Sequence, residues 1–138
     1  MAKKRSERTK WLNKADAAYS YFIRQSHADD QGIVKCFTCE NRRNWKYLDC
    51  GHWQKRDKNA TRYHEPNTKP QCKGKCNYNL QGNDVVFRAN LVELYGEESV
   101  KMIEIKSHNY CKMGLFELKM IYQEYIGKLK KAGYELPK

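Results

Sequence analysis

Apolar residues recur at helical spacing over residues 9–26. Trp11, Ala15, Ala18 and Phe22 fall on one stripe with Leu12, Tyr19 and Ile23 beside it, so the stretch predicts an amphipathic helix. The polar run "SHADDQG" ends it. From Ile33 to about Tyr78 the pieces are short: a knuckle "CFTC", a strand-like "NWKYLDCGHW", a polar basic loop "QKRDKNATRYHEPNTKP" and a second knuckle "QCKGKCN". Helical period returns after "QGN", with Val85, Ala89 and Val92 expected on one buried face, and Val100 and Ile103 pair on a second helix after "YGEES". A last helix carries Leu115, Leu118, Tyr122, Tyr125 and Leu129 and stops near Gly133 and Pro137. The stripe of Tyr122, Tyr125 and Leu129 suits packing on the first helix or a contact between two copies of the chain.

The pattern therefore predicts an α+β protein: a small mixed β and metal centre flanked by an N-terminal helix and C-terminal helices. The expected divisions are 1–32 (basic arm and first helix), 33–83 (core) and 84–138 (helical region packing on the core). No stretch approaches the ~20 apolar residues that span a bilayer, and "MAKKRSERTK" lacks the apolar region of a secretory signal. A cytoplasmic protein is expected, with "KKRSERTK" as a disordered basic arm able to reach nucleic acid.

Charge sharpens the picture. The formal net charge is +11, and residues 35–88 carry twelve Lys/Arg against five Asp/Glu, a local balance of +7. Such a field favours a polyanion, nucleic acid before an anionic membrane. Lys55, Arg56, Lys58 and Arg62 in the loop, with Lys73 and Lys75 on the second knuckle, are the expected phosphate contacts, which position a backbone without reading sequence. Trp45 and Trp53 are candidates for stacking on unpaired bases, but core packing accounts for them more simply.

Six cysteines divide into two groups. Cys36-x2-Cys39 and Cys72-x3-Cys76, separated by 32 residues, have ligand spacing, and four thiolates satisfy a tetrahedral zinc ion that would supply folding energy to so small a core. Gly74 would let the longer second turn close. Cys50 and Cys111 have no close partner in the sequence and read as ordinary buried thiols.

A second set sits inside that frame: Asp49 and His52 on the strand, Asn67 in the loop and Asn77 just after the last knuckle cysteine. Hydrolysis of a phosphodiester needs a base to activate water and a hard cation for the phosphate charge, and carboxylate and amide oxygens suit Mg2+ or Mn2+. His52 is expected as the base, Asp49 and Asn77 as metal ligands with Asn77 at a helix start, and Asn67 as the organiser of the loop. Asp49 and His52 lie three apart and would point to opposite faces of a regular strand, so a bulge or sharp turn at Gly51 is expected to bring them together. Asp49 as a loop brace and Asn77 as a helix cap remain open.

The order of cysteine pair, strand with acid and histidine, loop asparagine, cysteine pair and asparagine resembles the HNH, or ββα-metal, endonuclease motif. More closely, "LDCGHW", "RYHEPNTKPQCKGKCN" and "GNDVVFRANLVELYGEESV" are similar to the phage lambda NinG/Rap family of recombination proteins. The likeness runs from about Trp11 to the last helix. It implies a zinc-stapled, metal-dependent endonuclease acting on branched DNA such as Holliday junctions, in the bacterial host, alongside other recombination proteins and in a form that admits a homodimer. The three-residue spacer before Cys76 departs from the family's usual two, and the extra N-terminal cysteine-rich segment of some relatives is expected to be absent. A catalytically silent zinc module that binds branched or single-stranded DNA would have the same charge and cysteines. The Asp49, His52 and Asn77 set distinguishes the two.

Overall fold

The computed structural model describes residues 4–138. Its contacts separate Ile23–Cys111 from a second unit made of the two ends of the chain, up to Phe22 and from Lys112. Within the middle unit, Phe87, Leu91, Val100 and Ile103 of the later helices bury against Trp53, with Phe37 and Val92 packed on them, so the helices after residue 83 pack on the core.

Helix α1 (Glu7–Ser26) begins within the expected basic arm, so Glu7 to Lys10 are helical rather than disordered; residues 1–3 of that arm lie outside the described residues. In the unit of the chain ends, Ala15, Ala18 and Tyr19 of α1 and Leu118, Tyr125 and Leu129 of α5 (Leu115–Ala132) are buried. Tyr125 packs edge-on against Tyr19, with ring centroids 4.8 Å apart, and Tyr122 meets Trp11 at 5.5 Å. The tyrosine stripe thus packs on the first helix. Gly133, left-handed at φ 73°, ends α5, and its N–H bonds back to the last turn.

In the middle unit, strands β1 (Ile33–Lys35) and β2 (Arg42–Asn44) form an antiparallel hairpin whose tip carries the first knuckle. Arg24, in the last turn of α1, donates to the carbonyls of Trp45 and Leu48 (3.2 Å each) and lies over the Trp45 ring. Strands β3 (Leu48–His52) and β4 (Thr68–Cys72) form a second antiparallel pair. The loop between them holds the short helix α2 (Asn59–Arg62) and a 3-10 turn at Glu65–Asn67. A π-helical turn (Lys73–Asn79) then leads to α3 (Asp84–Tyr95) and α4 (Glu97–Ser107).

The buried face of α3 is Phe87 and Leu91, with Val92 packed partly buried beside them, whereas Val85 (85% exposed) and Ala89 face outward. The cause lies fifty residues away. Phe37 in the first knuckle stacks on Phe87 at 5.1 Å, and its carbonyl accepts from Asn90 Nδ2 at 2.7 Å, which fixes the rotation of the helix. Val100 and Ile103 are buried as the spacing predicts. Trp45 and Trp53 are both buried, which removes them as stacking platforms, whereas Cys50 and Cys111 are only partly buried. Among the described residues no helix is long and apolar enough to cross a membrane.

Candidate metal centre and nucleic-acid face

The hairpin tip supplies Cys36 and Cys39, the end of β4 supplies Cys72, and the π turn supplies Cys76. The four Sγ atoms lie within 4.8 Å of one another, and Cys39 and Cys72 are 3.7 Å apart. A tetrahedral ion with metal–sulfur bonds of about 2.3 Å needs sulfurs roughly 3.8 Å apart, so the cluster could hold a metal such as zinc. Backbone amides already point at the sulfurs: Cys72 N–H donates to Cys36 Sγ (3.3 Å) and Cys76 N–H to Cys72 Sγ (3.4 Å). Burial opposes ionisation of Cys36, yet the Cys72 amide and the backbone and hydroxyl of Thr38 bring its thiol down to about 7. Burial pushes the thiols of Cys39, Cys72 and Cys76 up. A bound cation reverses that order by favouring all four thiolates.

The three-residue spacer closes without help from Gly74, whose φ is not left-handed and whose missing side chain would meet nothing within 4 Å. The turn instead widens to π geometry, with Leu80 N–H reaching back to the Lys75 carbonyl at 3.0 Å. Asn77 therefore sits inside this π turn and not at the start of α3, which is capped at Asn83. From there Asn77 Nδ2 donates to Asp49 Oδ2 at 2.8 Å, bringing an amide and a carboxylate side by side next to the cysteine cluster.

No bulge interrupts β3. Its five residues pair one to one with those of β4, from Leu48↔Cys72 to His52↔Thr68. Asp49 and His52 consequently fall on opposite faces of the ladder, and His52 is the strand's last residue. Gly51 serves a different need. The Gln71 side chain lies across it, so that a Cβ there would stand 2.1 Å from Gln71 Oε1. Gln71 is held by donating to Thr38 Oγ1 (3.0 Å) and the Gly82 carbonyl (2.7 Å), and Thr38 in turn touches Cys36 Sγ (3.6 Å).

His52 Nε2 lies 2.9 Å from the Arg62 carbonyl. A carbonyl only accepts, so Nε2 carries the proton and the lone pair of the neutral ring sits on Nδ1. Asn67, 0% exposed, accepts from Gln54 N–H (2.7 Å) and donates to the carbonyls of Gln54 (2.9 Å) and Thr61 (3.1 Å), clasping both ends of the loop. Of the expected phosphate contacts, Arg56, Lys73 and Lys75 are exposed. Lys55 spends its charge on Asp84 (2.8 Å), Lys58 donates to Gln54 Oε1 (2.9 Å), and Arg62 to the Arg56 carbonyl (2.7 Å). His64 lines a cleft with Ser99, Met102 and Ile103 of α4. Spacing gave no hint of Gln71, Thr38 or the buried Lys69. The alternation of "TKPQC" could have shown that Lys69 and Gln71 share one face of β4.

These features define a small α+β protein with a basic loop and a four-cysteine cluster that could hold a metal. The chain belongs to the family of the bacteriophage lambda NinG protein, whose model matches residues 1–135. It is 32% identical over 124 residues to protein ninG of Escherichia phage lambda, covering 89% of this chain and 57% of that one. Protein ninG of Escherichia phage 933W is 31% identical over the same length, and that of Salmonella phage P22 is 32% identical, each with 58% of its length covered. The chain thus spans a little over half the length of these relatives. No solved structure matches it.

Proposed function

We propose that the chain is a metal-dependent, structure-specific DNA endonuclease that hydrolyses phosphodiesters in branched, Holliday junction-like DNA during phage recombination. In this reading β3, β4 and α3 form a ββα-metal centre stapled by zinc on Cys36, Cys39, Cys72 and Cys76. The observation that carries it is the Asp49–Asn77 contact at 2.8 Å, built on the two elements the cysteines hold together.

Asp49 and Asn77 oxygens would hold Mg2+ or Mn2+, which supplies charge stabilisation at the phosphate and the leaving oxygen. His52, its tautomer set by the Arg62 carbonyl, would take the proton of the attacking water at Nδ1. Asp49 is the second residue of β3 and His52 its last, on opposite faces of the ladder, so this reading requires one bound phosphate to reach both sides of the strand. Asn67 holds the loop that carries Arg56 and Arg62. Lys73 and Lys75 flank the ligand turn and suit phosphate contacts that select shape.

The test is cleavage of a labelled four-way junction against a matched linear duplex, with Mg2+, Mn2+ or EDTA, in wild type, His52→Ala and Asp49→Ala. Metal-dependent cutting of the junction, lost in both variants while binding persists, is the expected result. Tight junction binding without cutting under any metal would leave the zinc-stapled DNA-binding module as the better account.

A further inference from the structure

A second cleft in the middle unit uses none of the residues assigned above. It holds about 750 Å³, and its lining includes His64, Tyr95, Met102, Ile103, Lys106 and Tyr110. That volume falls within the range of small-ligand sites. No aspartate or glutamate lines it, and its one side chain with a fixed charge is the cation Lys106. Tyr110 is 92% exposed and Met102 60%, large apolar surfaces turned to water at the rim.

The wall behind Tyr95 carries an unusual group. Lys69 is only 2% exposed, and its ammonium donates to the Thr68 carbonyl (3.1 Å) and to Tyr95 Oη (2.9 Å), 5.0 Å from the Tyr95 ring centroid and 5.7 Å from that of Phe37. None of these partners is an anion, so the buried charge projects through the phenol. Because Tyr95 Oη accepts from Lys69, its own proton remains for donation elsewhere, and accepting from a cation strengthens it as a donor. His64 on the same wall has its pKa lowered first by burial and then by the charge of Lys106, with Glu65 opposing.

We propose that this cleft binds one unpaired nucleotide of a DNA strand, its base against the Tyr110 ring and the apolar floor and its phosphate at Lys106 and the Tyr95 hydroxyl. Aromatic faces accept any base, and the cationic side complements the backbone. The inference goes beyond the nuclease reading, since it needs no cleavage and none of Asp49, His52 or Asn77.

The test is fluorescence anisotropy of the full chain, loaded with zinc, on a single-stranded oligodeoxythymidylate and on an all-abasic strand of the same length. The variants are Tyr110→Ala and Lys106→Ala, both at exposed positions. Tyr110→Ala should weaken the thymidine strand about tenfold and leave the abasic strand unchanged, as loss of one stacked base requires. Lys106→Ala should weaken both strands several-fold at low salt. Thymidine binding within twofold of wild type in both variants, as expected for a cleft that takes an apolar peptide, would overturn the proposal. So would an equal loss on the abasic strand in Tyr110→Ala. A wild-type chain that cuts no junction, with the strand affinities of the variants shifted as stated, would count against the nuclease reading alone.

Discussion

Replacing Gly51 with alanine tests the packing of the β3–β4 face directly. The new Cβ would stand 2.1 Å from Gln71 Oε1 and 2.9 Å from both Gln71 Cβ and Cδ, so the glutamine cannot merely lean away at its tip. It must change rotamer, which breaks Nε2 bonds to Thr38 Oγ1 and the Gly82 carbonyl inside a residue that is 0% exposed. Overpacking costs about 1–3 kcal/mol, and a buried amide left unsatisfied costs about 1–3 kcal/mol more. A loss of about 2–6 kcal/mol in urea unfolding of the zinc-loaded protein is expected. In a Gln71→Ala background the same change should cost much less, because the clash partner is gone. Gly74→Ala is the matched control: nothing lies within 4 Å and φ is not left-handed, so it should change stability by less than about 1 kcal/mol. A Gly51→Ala variant as stable as wild type, or equally damaged with and without Gln71, would refute the argument.

Three further outcomes are expected. Inductively coupled plasma analysis should find one zinc per chain, and a chelator or Cys76→Ala should strongly weaken the cooperative unfolding transition of the middle unit, since the four ligands tie the first knuckle to the end of β4 and the π turn. Asn67→Ala removes three hydrogen bonds to loop backbone at a fully buried position and should cost about 2–4 kcal/mol by denaturant titration. His64, whose pKa burial and Lys106 lower below its ordinary value, binds protons more readily unfolded than folded. Its contribution is therefore intact above the unfolded pKa near 6.5 and is lost as pH falls below it, so His64→Asn should flatten the decline in stability between pH 7.5 and pH 6.

Helices α1, α4 and α5 could be read from the chain because each buries a single stripe with 3.6-residue period. The cysteine cluster was legible because ligand spacing is a local property. Other features depend on partners distant in sequence. The rotation of α3 is set by Phe37, not by its own valines. The glycine at position 51 looks like a bulge site in "LDCGHW", yet the reason for it is Gln71, twenty residues further on and directly opposite Asp49. Lys69 and Gln71 alternate with apolar positions, which normally means a solvated face. Here both are buried, because the segments carrying Thr38, Gly82 and Tyr95 cover that face with partners of matching polarity. Sequence pattern gives the period of an element, but polar satisfaction by distant groups decides which side is inside.

The same dependence explains why the second knuckle has its unusual length. Cys72 pairs with Leu48 across the sheet, so Asp49 lies one residue from the staple on one side. Asn77 follows Cys76 directly, one residue from it on the other. The relative placement of these two polar side chains is therefore set by how far the chain travels between Cys72 and Cys76. With three spacer residues the turn is π-helical, and Asn77 reaches Asp49 at 2.8 Å. Each residue of a helical turn rotates the side chain by roughly 100°, so a two-residue spacer with the same sulfur positions would point the following side chain to a different sector. The longer spacer and the asparagine after it thus form one structural unit: the cysteines fix the ends, the extra residue sets the angle, and Asn77 meets the carboxylate.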